Sequence, residues 1–115
     1  MEESPAVTLV RLALDAASLR HQAIANNIAN VHSPGYVPLK VNFEEQLAFA
    51  RGGLDGTSAG AVKPFLEADT TGPARVALDL EMVKLAQNTV HYQALLKALD
   101  KRGAILGAAI NEGRR

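Results

Sequence analysis

The chain has no cysteine and no tryptophan, and its aromatic share is only 4%. Without cysteine there are no disulfides, thiolate metal sites or thiol nucleophiles. Net charge is also absent: Lys plus Arg and Asp plus Glu number 12 each. A neutral chain exerts no global pull on nucleic acid or acidic membranes. No stretch is long and apolar enough to span a bilayer. Residues 6–14, AVTLVRLAL, come nearest to a signal-peptide core, but they contain Arg11 and no convincing cleavage site follows. The sequence therefore predicts a protein with no transmembrane segment. If it leaves the cytoplasm, it uses a route that needs no cleaved signal.

Apolar residues nonetheless make up 48% of the 115 residues, much of that alanine and leucine. Such a composition favours helix-on-helix packing over a bulky core. Three segments follow from the patterning: an N-terminal helix within residues 1–31, a middle of 32–75, and a C-terminal helix within 76–115. Ser4 followed by Pro5 is an N-cap with proline at the first helical position. Val7, Val10, Leu14, Ala17, His21, Ile24, Ile28 and Val31 then recur in steps of three and four, a heptad seam. Leu12, Ala16, Leu19 and Ala23 form a second stripe beside it. A helix with two apolar stripes requires more than one partner. In the third segment Leu78, Met82, Leu85, Thr89, Tyr92, Leu96, Leu99, Gly103, Leu106 and Ile110 keep the same alternation. The expected fold is mostly α, with long N- and C-terminal helices packed as a coiled-coil-like pair and a flexible loop region between them.

The middle opens with a stop. Ser33 precedes proline and is pushed out of the helical region, and Pro34-Gly35 suits the centre of a type II turn. VNFEEQLAFARGG predicts a short helix with Asn42 as N-cap, Glu45 completing a capping box, Phe43 and Leu47 on one face, and Gly52-Gly53 as the stop. From Gly52 to Arg75 the chain is rich in Gly, Ser, Thr and Pro and lacks periodicity, which predicts a flexible loop.

No chemistry is encoded in a recognisable pattern. His21, His32 and His91 are the only histidines, and none of them pair at metal-ligand spacing. His21 falls on the heptad seam, where packing or polar register is the simpler role. The carboxylates are scattered, and RGGLDG lacks the lysine and the following helix of a phosphate loop. The sequence predicts no enzyme, no cofactor, no metal and no small-molecule substrate.

What stands out is AIANNIANVHSPGY, residues 23–36. Asn26, Asn27 and Asn30 crowd the end of a helix among small alanines. Asparagine is a mediocre helix former, but its amide both donates and accepts and can tie a neighbouring backbone or another chain. One reading is ordinary helix termination. The other is a register-specific interface, at which buried polar groups cost stability and fix alignment.

These residues resemble the N-terminal signature of bacterial flagellar axial proteins, the rod and hook group. That signature runs Asn-Asn-Ile/Leu-Ala-Asn, here Asn26, Asn27, Ile28, Ala29 and Asn30. Two variable residues, a Thr or Ser (Ser33) and a turn follow, often with Gly-Tyr (Pro34, Gly35 and Tyr36). Phe43 and Leu47 match a Phe-x-x-x-Leu element most similar to that of the proximal rod subunit. VALDLEMVKLAQNTVHYQALLKAL resembles the group's C-terminal helix through Glu81, Met82, Asn88 and Tyr92. The chain departs from the group in having serine where threonine is commoner, and TTGPARV where an Asp-Gly-Asn type turn is usual. The resemblance implies a structural subunit of the flagellar basal-body rod in the periplasm. It implies polymerisation into a tubular shaft and export channel, and type III export without a cleaved signal. The implied partners are other rod proteins, the membrane-ring adaptor, the export gate and copies of itself. The fifteen residues just named are then subunit-interface or family-motif positions. Another rod protein of the group, or a non-flagellar helical adaptor or chaperone, is the alternative.

Overall fold

A computed structural model of the chain describes residues 4–52, 62–72 and 76–113, with side chains described for 4–50, 62–72 and 76–101. The element order is α1 (Pro5–Ala29), β1 (Leu39–Asn42), α2 (Glu44–Gly52), β2 (Phe65–Ala68) and α3 (Leu78–Gly113). Ser4 Oγ accepts the Val7 amide at 3.2 Å, so the expected N-cap of α1 is in place. Asn30 closes the helix, its amide shared among the carbonyls of Asn26, Asn27 and Ile28. Helices α1 and α3 pack together antiparallel, since Asn27 meets Glu81 while Ala17 meets Asn88. The molecule is elongated, 65 × 31 × 17 Å. A helix of α3's length accounts for about 54 Å of that.

The two stripes of α1 do find two partners. Ala16 is buried with Val41, Phe43 and Val62, and Leu12, Ala13, Leu19, Leu47 and Ala50 pack around them. That cluster lies between α1, the strands and α2. The other stripe, with buried Ala17 and Ile24, faces α3. Ala16 and Ala17 are both 0% exposed. Small side chains here let the elements on either flank approach the helix backbone closely.

Four expectations need correction. First, residues 65–68 of the expected loop form a strand, paired antiparallel with β1 in the register Leu39↔Ala68 to Asn42↔Phe65. The sequence around β1 alternates, with Val37, Leu39, Val41 and Phe43 at every second position, and this period of two buries Val41 and Phe43. Residues 53–61 and 73–75 of that expected loop lie outside the described residues. Second, Asn42 is not the N-cap of α2. It ends β1, and Phe43 precedes the helix, its carbonyl accepting the Leu47 amide at 2.9 Å. Gln46, rather than Glu45, reaches back, its amide donating to Asn42 Oδ1 at 3.1 Å and to the Lys63 carbonyl at 2.8 Å. Third, His21 is exposed rather than buried, lining a groove at the edge of the α1–α3 seam beside Asn88 and Tyr92.

Fourth, the seam of α3 is rotated. The buried positions are Glu81 and Asn88, with Leu85, Leu95 and Leu99 half-buried. Met82 is 54% exposed, and Leu78 and Leu96 are exposed as well. Two heptad stripes share Leu85 and Leu99, and packing against α1 selected the one with polar members. The reason is steric and polar together: Glu81 and Asn88 find hydrogen-bond partners on α1 that Met82 and Leu96 could not use. Gly103, Leu106 and Ile110 of the expected seam fall where only the backbone is described.

Beyond β2, Asp69 Oδ1 accepts from the Thr71 amide at 3.1 Å and the Thr71 hydroxyl at 2.7 Å. The Thr71 hydroxyl bond is the main cause that holds the Asp69 carboxyl below its ordinary value of 3.8. A depressed acid stabilises the fold above its unfolded pKa and loses that contribution as pH falls through the folded one. Asp69→Asn should therefore abolish a small stability loss confined to the pH range below 3.8, read by urea titration at several pH values. Phe43→Ala, which empties the centre of the α1–sheet cluster, should cost about 3 kcal/mol, read from the urea midpoint of the same chain.

Candidate functional site

The asparagine stretch is the best-connected place in the described structure. Asn27 lies on the last turn of α1 and is 2% exposed. Its Nδ2 donates to the Leu39 carbonyl at 3.0 Å and to Glu81 Oε2 at 3.2 Å. Its Oδ1 accepts from the Leu39 amide at 2.8 Å and from the Tyr36 hydroxyl at 2.7 Å. A carboxamide has two donor hydrogens and two acceptor lone pairs. All four are used, and none is left for a second molecule.

The geometry follows from the ladder. Asp69 donates its amide to the Pro38 carbonyl at 2.8 Å, so the pair 38–69 is hydrogen-bonded. Bonded and non-bonded pairs alternate in an antiparallel ribbon. Lys40 and Asn42 of β1 thus face β2, while the amide and carbonyl of Leu39 face away. Asn27 meets both with one donor and one acceptor. Its carboxamide stands where the backbone of a third strand would stand.

The turn delivers Leu39 to that place. The Ser33 carbonyl accepts the Tyr36 amide at 3.3 Å, and Gly35 at φ 74° takes the left-handed position that a type II turn requires. Asn30 holds the turn to the helix, donating Nδ2 to the Asn26 carbonyl at 2.9 Å and accepting the Ser33 hydroxyl at 3.0 Å. Asn26, on the exposed side, donates to the Tyr36 hydroxyl at 3.1 Å. The turn therefore sends the chain back along its own helix.

Across the hub, α3 contributes two side chains. Glu81 is 3% exposed, with Oε2 on Asn27 and Oε1 on Lys84 Nζ at 3.1 Å. Asn88 donates Nδ2 to the Ala17 carbonyl at 2.8 Å. Among the described residues no buried side-chain polar atom lacks a partner. A groove of about 360 Å³ runs beside the hub between α1, β1 and α3, with Arg20, Lys40 and Lys84 among its lining. Each of these cations is paired, Arg20 with Glu44, Lys40 with Glu67 at 3.7 Å and Lys84 with Glu81. Among the described residues no group of three or more His, Asp or Glu side chains is placed to hold a metal ion. The arrangement can hold helices and strands in register, and it offers no reacting pair of groups.

The predicted site residues thus divide. Asn26, Asn27, Asn30, Ser33, Tyr36 and Glu81 converge on one hydrogen-bonded system, with Ile28 and Ala29 on the same helical turn and Pro34 and Gly35 within the turn, while Asn88 makes a separate contact with the Ala17 carbonyl. Phe43 and Leu47 belong to the separate apolar cluster on the other flank of α1. Met82 lies on the exposed side of α3, and Tyr92, partly exposed, lines a groove against α1 beside Asn88 and His21. Sequence reasoning missed Leu39, whose backbone is the hub's main client, and Ala17, whose carbonyl takes Asn88. A backbone partner leaves no residue-type signal; the alternation from Val37 to Phe43 is the signal that could have found the strand carrying Leu39.

No model of a protein family matches the chain. The flagellar basal body rod protein FlgB of Bacillus subtilis strain 168 is 28% identical over 116 residues, covering 89% of this chain and 90% of that one. The chain is similar to a flagellar rod protein. The similarity to FlgB leaves too few residues uncovered to omit either long helix, so it spans the hub and both elements that meet there.

Replacing Asn27 tests the hub. Asn27→Asp keeps the shape, but sets a carboxylate oxygen against the Leu39 carbonyl and Glu81. It should cost about 3 kcal/mol, more than a typical lost hydrogen bond. Adding Glu81→Gln restores one donor across the helix pair and should recover part of that loss, read as a coupling in urea titrations of the two single variants and the double.

Proposed function

We propose that this chain is a structural subunit of the bacterial flagellar basal-body rod, placed at its proximal end. The likeness to FlgB over nearly the whole of both chains carries this reading. The fold supports it. A hub of saturated hydrogen bonds gives the subunit one shape, and apolar side chains are left exposed on two sides of α3. Leu78, Met82 and Leu96 form one exposed stripe; Val83 and Val90 lie on the far side. A monomer has no use for such faces, and neighbouring helices do. Head-to-tail contacts of that kind generate an open helical assembly rather than a closed ring, which suits a tubular shaft that doubles as an export channel.

In this reading Asn26, Asn27 and Asn30 act on assembly chiefly through the subunit's own geometry. Asn27 has no hydrogen-bonding capacity left for a neighbour, and it fixes the angle at which the strands leave α1. Asn26 and Asn30 are closer to the surface. Partners are other rod proteins, copies of the same chain, the membrane-ring adaptor and the export gate, reached from the cytoplasm by type III export without a cleaved signal. No residue acts as a catalyst, and the role is mechanical.

Deletion of the gene in its source organism, followed by purification and imaging of basal bodies, tests the proposal. The expected product is membrane rings without a rod, hook or filament, and motility returns with the wild-type gene. Complete flagella and normal swimming would overturn the rod assignment and favour a helical adaptor.

A further inference from the structure

The two edges of β2 differ. Because Pro38 and Asp69 form a hydrogen-bonded pair, the backbone groups of Phe65, Glu67 and Asp69 face β1. Gln46 continues that edge past the end of β1. Its Nε2 donates to the Lys63 carbonyl at 2.8 Å, and its Oε1 accepts the Lys63 amide at 3.1 Å. Pro64, Leu66 and Ala68 turn their backbone groups the other way. Among the described residues nothing meets the amides and carbonyls of Leu66 and Ala68 on that side. Phe65 and Leu66 are exposed there, at 46% and 37%. The Lys63 ammonium has no counter-ion among the described residues.

We propose that this edge is a self-pairing site, at which β2 of a second copy of the chain docks antiparallel about a two-fold axis through Leu66. The order of charges carries the assignment. In KPFLEAD, Lys63 stands three positions before Leu66 and Asp69 three after it. An antiparallel pair centred on Leu66 therefore sets Lys63 of each copy opposite Asp69 of the other, at both ends of the contact. These are non-bonded pairs, where side chains come closest. Charges that guard a sheet edge repel a like copy; this order attracts one. Leu66 exchanges both of its backbone bonds with its counterpart. The Ala68 amide meets the Pro64 carbonyl, the one backbone group that proline can offer. Neighbouring registers fit less well. Centring on Glu67 sets two Glu67 carboxylates against each other. Centring on Phe65 puts Pro64 opposite Leu66 and leaves the Leu66 carbonyl without a donor. A foreign strand would find the same backbone groups, but nothing to select its register. The contact is isologous and closes at two copies. It differs from the head-to-tail contacts of the rod reading and does not rest on them: it pairs free chains and covers their open edge.

A strand pair this short buries far less than a stable interface, so the dimer is transient and is best trapped covalently. The chain has no cysteine, so Leu66→Cys supplies a single thiol. In a bonded antiparallel pair its Cα lies about 5.5 Å from that of its counterpart. With a short bismaleimide, the full-length Leu66→Cys chain should cross-link to dimer several-fold faster than Phe49→Cys, whose site is 86% exposed and reports random collision. In the Leu66→Cys background, Lys63→Asp and Asp69→Lys each set like charges opposite at both ends, and each alone should slow cross-linking roughly tenfold. Mixed together, the two variants regain opposite charges at both ends. They should cross-link at near the Leu66→Cys rate, and mass spectrometry should find mostly unlike chains joined. Leu66→Cys no faster than Phe49→Cys would overturn the proposal. So would a statistical mixture of like and unlike pairs from the mixed variants. The comparison of Leu66→Cys with Phe49→Cys alters neither charge, and decides alone if Asp69→Lys fails to fold.

Discussion

One carboxamide aligns most of this subunit. Asn27 presents a donor and an acceptor to Leu39 in the arrangement of a neighbouring strand, and gives its remaining valences to Tyr36 and Glu81. A helix and a sheet have incompatible hydrogen-bond directions, since one runs along the axis and the other across it. Joining them at a fixed angle requires a group that belongs to one and pairs like the other. Asparagine is the smallest side chain that carries an amide at that reach. Glutamine would overshoot by a methylene, and aspartate would lose both donors.

The other features are arranged around that demand. The Pro34–Gly35 turn brings Leu39 back within reach, and Gly35 at φ 74° is the only described residue that needs the left-handed region. Asn30 and Ser33 fasten the turn to the last helical turn, so the return path has little freedom. Alanines at 16, 17 and 23 keep α1 slender where the sheet and α3 approach from either flank. The neighbouring groove, for all its basic lining, is already neutralised by pairs such as Lys40 with Glu67.

Sequence periodicity showed both long helices, and Ser4-Pro5 showed the cap of α1, because period and cap residues are local signals. It also showed that α1 needs two partners. It did not show which heptad stripe of α3 faces α1, because Met82 and Leu96 are the stronger hydrophobes, and the choice was made by Asn27 and Ala17 on the opposite helix. Nor did it reveal β1 or β2. FLEA offers four residues amid Gly and Pro, and its strand identity comes from pairing with residues about 25 positions earlier. The asparagines were noticed through their crowding and their likeness to flagellar axial proteins, but their partners were beyond reach. Three of the bonds Asn27 forms join it to Leu39 and Tyr36 across a turn, and the fourth crosses to a helix over 50 residues on.

The substitution of an amide for a strand has a topological consequence. A two-stranded ribbon ordinarily presents two open rims, each a template for unwanted addition of further chain. Here the rim of β1 is stoppered at Leu39 by a side chain that cannot itself be extended, so the ribbon is one-sided. Among the described residues, only the outer margin of β2, beside exposed Phe65 and Leu66, remains able to accept a strand. The residue that sets the angle of the fold thereby also gives its sheet a direction of growth, away from the helices and never between them.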